Sequence, residues 1–147
     1  MSMVTTPRDW QIDVVGEPQQ SDLEQLRRGL RQYNDEQAGS WPRQELACFV
    51  RAEDGRVLGG VYGRITFAWL HVEWLWVGAE LRGQGIASDL LKRLEQHAKE
   101  HLQASNGYLE TASFQALGFY KKQGYQVFGQ LDDMPPGHSC YFLKKAL

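Results

Sequence analysis

The chain has 147 residues, 42% apolar and 23% charged, which is enough for one hydrophobic core and suggests a single domain over 1–147. Its 16 basic and 18 acidic residues leave a net charge of −2, so it has neither the electrostatic footprint of a nucleic-acid binder nor a polybasic surface for anionic lipid. No segment reaches the roughly 20 apolar residues of a membrane span, and residues 1–8 hold no apolar signal core, so no membrane partner and a cytoplasmic location are expected.

In chain order, Trp10, Ile12 and Val14 alternate with polar neighbours and predict a first strand. Ser21-Asp-Leu-Glu24 has the form of a capping box, and Leu23, Leu26, Leu30 and Tyr33 follow at helical spacing, predicting a helix from Ser21 to about Asn34. Residues 35–43 read as a connection with room for a short helix. Three successive strands are expected over 46–52, 57–65 and 68–77, the first two joined at Asp54-Gly55.

A glycine-bearing turn comes next, and then a helix with Ile86, Leu90, Leu94 and Ala98 four apart and Leu91 and Leu102 beside them. A strand over 108–111, a helix over 113–123 stopped by Gly124, and a hairpin with arms 125–131 and 139–145 complete the pattern. Strand, helix, strand implies a right-handed crossover and one parallel pair, so the sheet is mixed. Cys48 and Cys140 read as small apolar residues rather than a disulfide or a metal pair. His97 and His101, four apart on a helix, lack a following Glu and a third ligand, and no metal site is expected.

The turn is where chemistry concentrates. Arg82, Gly83, Gln84 and Gly85 lie between an apolar strand and a helix that begins Ile86-Ala87-Ser88, so backbone amides can converge on an anion at the positive end of a helix dipole. A nucleotide-binding domain is the weaker reading: the loop lacks a Gly-Lys-Ser/Thr ending, and Ser88 breaks the dinucleotide glycine pattern.

Sorted by parity, the strand before the turn carries Ala68, Leu70, Val72, Trp74 and Trp76 on one apolar face, so Trp74 and Trp76 are expected in the core. The other face carries Trp69, His71, Glu73, Leu75 and Val77. A carboxylate on a central strand costs several kcal/mol unless it is compensated. His71 or a neighbouring arginine such as Arg64 could do so.

The order Val77, four residues, Arg82-Gly-Gln-Gly-Ile-Ala87 resembles the acyl-CoA signature of the GNAT superfamily of N-acyltransferases, written Arg/Gln-x-x-Gly-x-Gly/Ala and filled here by Arg82, Gly85 and Ala87. A second match, Ala116, Tyr120, Gly124 and Tyr125, fits the family pattern Asn-x-x-Ala-x-x-x-Tyr-x-x-x-Gly-Phe/Tyr, with Ser113 in place of Asn.

The resemblance implies an α/β fold with a mixed sheet of about six to seven strands, helices on both faces, and strand order following the chain around the β-α-β crossover. It implies acetyl-CoA as co-substrate, its pyrophosphate on the amides of Arg82 to Ser88, its pantetheine arm paired with the backbone of Leu75, Trp76 and Val77, and Ser113 and Ala116 beside the arm. It implies direct transfer to a primary amine on a small molecule or peptide, and homodimers are frequent among similar proteins.

Tyr120 is the expected general acid toward the departing thiolate. The base is Glu73 or His71: imidazole, ordinarily near 6.5, is better matched than a carboxylate near 4.3, but Glu73 is nearer the loop. A relay through both is expected. Tyr33 and Trp41 are the wall candidates at the acceptor site, Trp69 is placed to touch the acceptor, and the loop at His138 is either its cover or ordinary surface. A rival reading keeps the CoA cradle and drops catalysis, giving an acyl-CoA sensor or interaction module.

Overall fold

A computed structural model describes residues 9–147. The reading of residues 1–8 lies outside the described residues. Internal contacts divide the chain into two compact units, one ending at Ser40 and the other Trp41–Leu147. No helix among the described residues is long and apolar enough to cross a membrane.

The first unit holds α1, Gln20–Ala38. Ser21 is not its cap: the helix begins one residue earlier with Gln19 at the N-cap position and no side-chain cap bond, the Gln19 carbonyl accepting from Asp22 and Leu23 amides. It also runs past Asn34, because nothing in residues 35–38 breaks a helix, and stops at Gly39, whose φ of 81° is one glycine adopts readily. Leu26, Leu30 and Tyr33 are exposed. The strand expected around Trp10 to Val14 does not form: residues 9–15 lie in neither helix nor strand, because alternation by itself supplies no ladder hydrogen bonds.

The second unit is built on a six-stranded mixed sheet: β1 Gln44–Arg51, β2 Val57–Thr66, β3 Trp69–Val77, β4 Asn106–Ala112, β5 Gln126–Asp132 and β6 Ser139–Ala146. The order follows the chain only as far as β4; β6 then lies against β4 and β5 takes the edge. The closing hairpin thus folds back so that its second arm pairs antiparallel with β4 along its whole length, from Asn106↔Ala146 to Ala112↔Cys140.

The crossover helix α2, Ile86–His101, covers the sheet with the predicted stripe. Leu90, Leu91, Leu94 and Ala98 meet Val61, Ile65, Leu70 and Val72, all buried. Each of the Leu, Ile and Val side chains contributes about 1.5–3 kcal/mol of burial. Cys140 is buried, Cys48 is partly buried, and both are free. Among the core groups Glu95 is satisfied rather than orphaned: the Tyr125 hydroxyl donates to it at 2.7 Å and Lys145 Nζ at 3.1 Å.

The last helix is shorter than expected, α3 Leu117–Lys122. Residues 113–115 form a turn because polar side chains capture the backbone first: Gln115 Oε1 accepts from the Ala112 amide at 2.7 Å, and Thr111 Oγ1 accepts from the Ala116 amide at 3.3 Å.

Candidate active site

Two departures from regular sheet geometry make the site. The first is a bulge. Tyr62 pairs with Trp74 but Gly63 pairs with Val72, so Glu73 has no cross-strand partner. Gly63 permits the close approach, since a Cβ there would stand 2.8 Å from the His71 carbonyl oxygen. Beyond the bulge the parity of β3 reverses. Leu75 and Val77 join Leu70 and Val72 against the core, while Trp74 and Trp76 turn outward, 69% and 56% exposed. Their expected place in the core is therefore wrong, because strict alternation does not survive an extra residue. Trp74 instead stacks on Tyr62 at 4.7 Å.

The second departure is a split. β3 and β4 pair in parallel only from Trp69↔Asn106 to His71↔Tyr108. From Glu73 onward the two strands part, and a cleft of about 770 Å³ opens between them. On one side it is lined by Glu73 and the strand through Val77; on the other by Glu110, Thr111, Ala116 and Tyr120. Arg82 and Ala87 close the end beside α2. The backbone of Leu75 to Val77 faces β2 on one edge and this cleft on the other, so an extended arm laid in the cleft finds free ladder positions.

The turn between β3 and α2 is built on glycine geometry. A single 3-10 turn, Ala79–Leu81, leads to Gly83 and Gly85 at φ 79° and 78°. The first bond of α2 runs from the Asp89 amide to the Gly85 carbonyl at 3.1 Å, which leaves the amides of Ile86, Ala87 and Ser88 without an intrahelical acceptor. Arg82 Nε donates to the Val77 carbonyl at 3.1 Å and fastens the loop to the strand end. Gln84 reaches back to the Glu80 carbonyl, and Ile86 packs on the core. These features suit a diphosphate followed by a narrow chain.

A separate cavity of about 480 Å³ lies further back along the sheet, its lining including Trp69, His71 and Tyr108 together with Arg43, Glu45 and Arg64. Glu73 lines both cavities. Its side chain is 13% exposed, and Arg64 Nε donates to Oε1 at 2.9 Å. His71 Nδ1 is 3.5 Å from the same oxygen. Oε2 has no hydrogen-bond partner among the described residues, so it is the oxygen open to a ligand. Compensation of Glu73 by Arg64 follows what its residue type demanded.

Tyr120 is 9% exposed, and burial pushes its phenol up to about 12. It stays protonated, hence a donor, throughout the neutral and mildly alkaline range. Ser113 is engaged elsewhere: its amide donates to the Ser139 carbonyl at 2.7 Å and its hydroxyl accepts from the Ser139 amide at 3.1 Å, pinning β6 to the turn outside the cleft lining. Ser88 Oγ donates to Gln123 Oε1 at 3.1 Å, joining α2 to the end of α3. His97 and His101 are exposed, their rings 4.8 Å apart, and no group of three potential ligands gathers among the described residues. His138 packs on Phe114, and Trp41 does not line the cavity beside Trp69 and His71.

Glu110 went unread in the sequence. Its carboxylate lies 2.8 Å from His71 Nε2. A charged residue on a strand whose neighbours Leu109 and Ala112 are buried was the available signal, but the parallel register that brings β4 beside His71 is a tertiary fact.

The Acetyltransferase (GNAT) family model matches residues 12–125. A blasticidin-S acetyltransferase of Streptomyces morookaense is 39% identical over 106 residues, covering 72% of this chain and 78% of that protein. An acetyltransferase of Agrobacterium fabrum is 32% identical over 120 residues, covering 82% and 87%. Among solved structures, an acetyltransferase from Bacillus cereus superposes with a TM-score of 0.82 at 35% identity, covering 92% of this chain and 98% of that one.

Proposed function

The chain belongs to the GNAT family of acetyltransferases and is an acyltransferase, and from that premise we propose that it moves the acetyl group of acetyl-CoA to a primary amine by direct attack. One observation carries the reading: Glu73 is a wall of both cavities, so an amine in the smaller one and a thioester in the split between β3 and β4 would meet at its carboxylate. Acetyl-CoA supplies an activated acyl carbon there; the amides of residues 83–88 would hold its diphosphate, and the edge of Leu75 to Val77 its pantetheine arm.

Glu73 Oε2 takes a proton from the ammonium, directly or through water, and His71 shares it. The freed nitrogen bonds to the acetyl carbon, the carbon–sulfur bond breaks, and Tyr120 donates to the departing sulfur. An amine near pKa 10 must lose its proton before it can attack, which is why an acceptor with a base at the junction is needed.

The acceptor is a small-molecule or peptide amine. The same proposal places the enzyme in the cytoplasm, with no metal, and a homodimer is the assembly its family resemblance implies. Thiol release from acetyl-CoA over an amine panel beginning with blasticidin S, for which the Streptomyces relative is named, tests it. Turnover with at least one amine, lost in Glu73→Gln, is expected; CoA binding with no turnover across the panel would instead mean a silent binding module.

A further inference from the structure

The reaction above uses Glu73, His71 and Tyr120 and leaves Glu110 without a part. His71 lies between two carboxylates: Nδ1 is 3.5 Å from Glu73 Oε1 and Nε2 is 2.8 Å from Glu110 Oε2. An ionised carboxylate only accepts, so the shorter contact fixes the imidazole proton on Nε2 and leaves the Nδ1 lone pair toward Glu73. Tyr108 holds the ring in this plane, stacked at 4.5 Å and 5°. The groups that face the imidazole are thus Glu73 from β3, Tyr108 and Glu110 from β4, and Arg64 of β2 through its hold on Glu73.

Exposure rises along the line, from 13% at Glu73 through 23% at His71 to 40% at Glu110. A proton that starts on a bound ammonium therefore moves toward water as it passes outward.

Resting on the acetyl-transfer reading, we propose that Glu110 is a positioning residue for that reaction: it sets the His71 tautomer and stabilises the imidazolium that forms when Glu73 passes on the amine's proton. The step balances simply. The ammonium N–H breaks, Glu73 Oε2 gains the proton, a water carries a proton from Oε2 to Nδ1 of His71, which stands against the other oxygen, and Nε2–H keeps facing the Glu110 carboxylate. The imidazolium returns the extra proton to water. Glu110 lines the acyl-side cleft while His71 lines the acceptor-side cavity, so the pair also spans the place where β3 and β4 separate.

The test pairs spectroscopy with kinetics on the whole protein. Nitrogen-15 spectra of the imidazoles near neutral pH should show His71 protonated at Nε2 in the wild type, and a mixed tautomer in Glu110→Ala. The kcat of Glu110→Gln should fall by about 10-fold or more with the KM for acetyl-CoA little changed. In a His71→Gln background the same change should cost almost nothing, because Glu110 acts through that ring.

A wild-type His71 protonated at Nδ1, an unchanged kcat in Glu110→Gln, or independent losses in the double variant each overturn the proposal. The spectra need no substrate. A wild type without acetyl transfer therefore refutes the parent reading, while the tautomer decides the pairing separately.

Discussion

Arg64 and Glu73 are joined across β2 and β3 with the guanidinium's Nε and Nη2 both on one carboxylate oxygen, Oε1. The ion pair holds the guanidinium above its ordinary value, and it leaves Oε2 without a hydrogen-bond partner among the described residues. Arg64 is 62% exposed, so its value lies in aim rather than stability. Arg64→Met should lower kcat/KM for the amine by about 10-fold through misplacement of the base, with acetyl-CoA affinity unchanged by titration calorimetry. Unaltered amine kinetics would show that Glu73 is held by other means.

Tyr120 makes a prediction about alkaline stability. Its phenol is raised from the ordinary 10.0 to about 12 by burial, so the folded protein keeps this proton more tightly than the unfolded chain. The contribution is fully present below pH 10 and is lost as pH rises toward 12. The difference corresponds to on the order of 2–3 kcal/mol. Urea unfolding between these limits should be less pH-dependent in Tyr120→Phe by about that amount. The same variant should turn over more slowly with the thiolate as leaving group, and the wild type should show no loss of rate from phenol ionisation up to about pH 10.

The turn between β2 and β3 is strained. Phe67 and Ala68 sit at φ 52° and 64°, the left-handed values that a two-residue hairpin demands and that Asn-Gly supplies at low cost. Replacing the pair by Asn-Gly should stabilise the protein by about 1 kcal/mol in urea unfolding. Thr66 and Trp69 flank the turn and line the cavity proposed for the amine, so a change in amine KM without a gain in stability would mean the strain serves the cavity instead.

In the core, the Tyr125 hydroxyl donates to Glu95 while Lys145 pairs with the same carboxylate. Burial and the Glu95 charge push the phenol upward, so the proton remains in place. Tyr125→Phe should cost about 2 kcal/mol, the worth of a buried hydrogen bond to a charged group, with kcat unaffected. Thermal and urea melts measure it.

What was legible in the sequence was local. The stripe Leu90, Leu91, Leu94, Ala98 fixed α2, Asp54-Gly55 fixed a hairpin, and Gly83 and Gly85 marked the turn into α2, because each is written in neighbouring residues. What depends on an inserted residue or a distant partner was hidden. One extra residue at Glu73 turns Trp74 and Trp76 outward. The pairing of β4 with β3 brings Glu110 to His71, and the exchange of β5 and β6 reverses the end of the sheet. Ser113 stands where the resembled pattern has Asn, and its hydrogen bonds go to Ser139.

A crystal structure of the protein with acetyl-CoA tests the central claim most directly. The account predicts the diphosphate on the amides of residues 83–88, the arm along Leu75 to Val77, and the acetyl carbon at the junction between Glu73 Oε2 and Tyr120. A coenzyme bound away from the split between β3 and β4, or an acetyl group pointing away from Glu73, would contradict it.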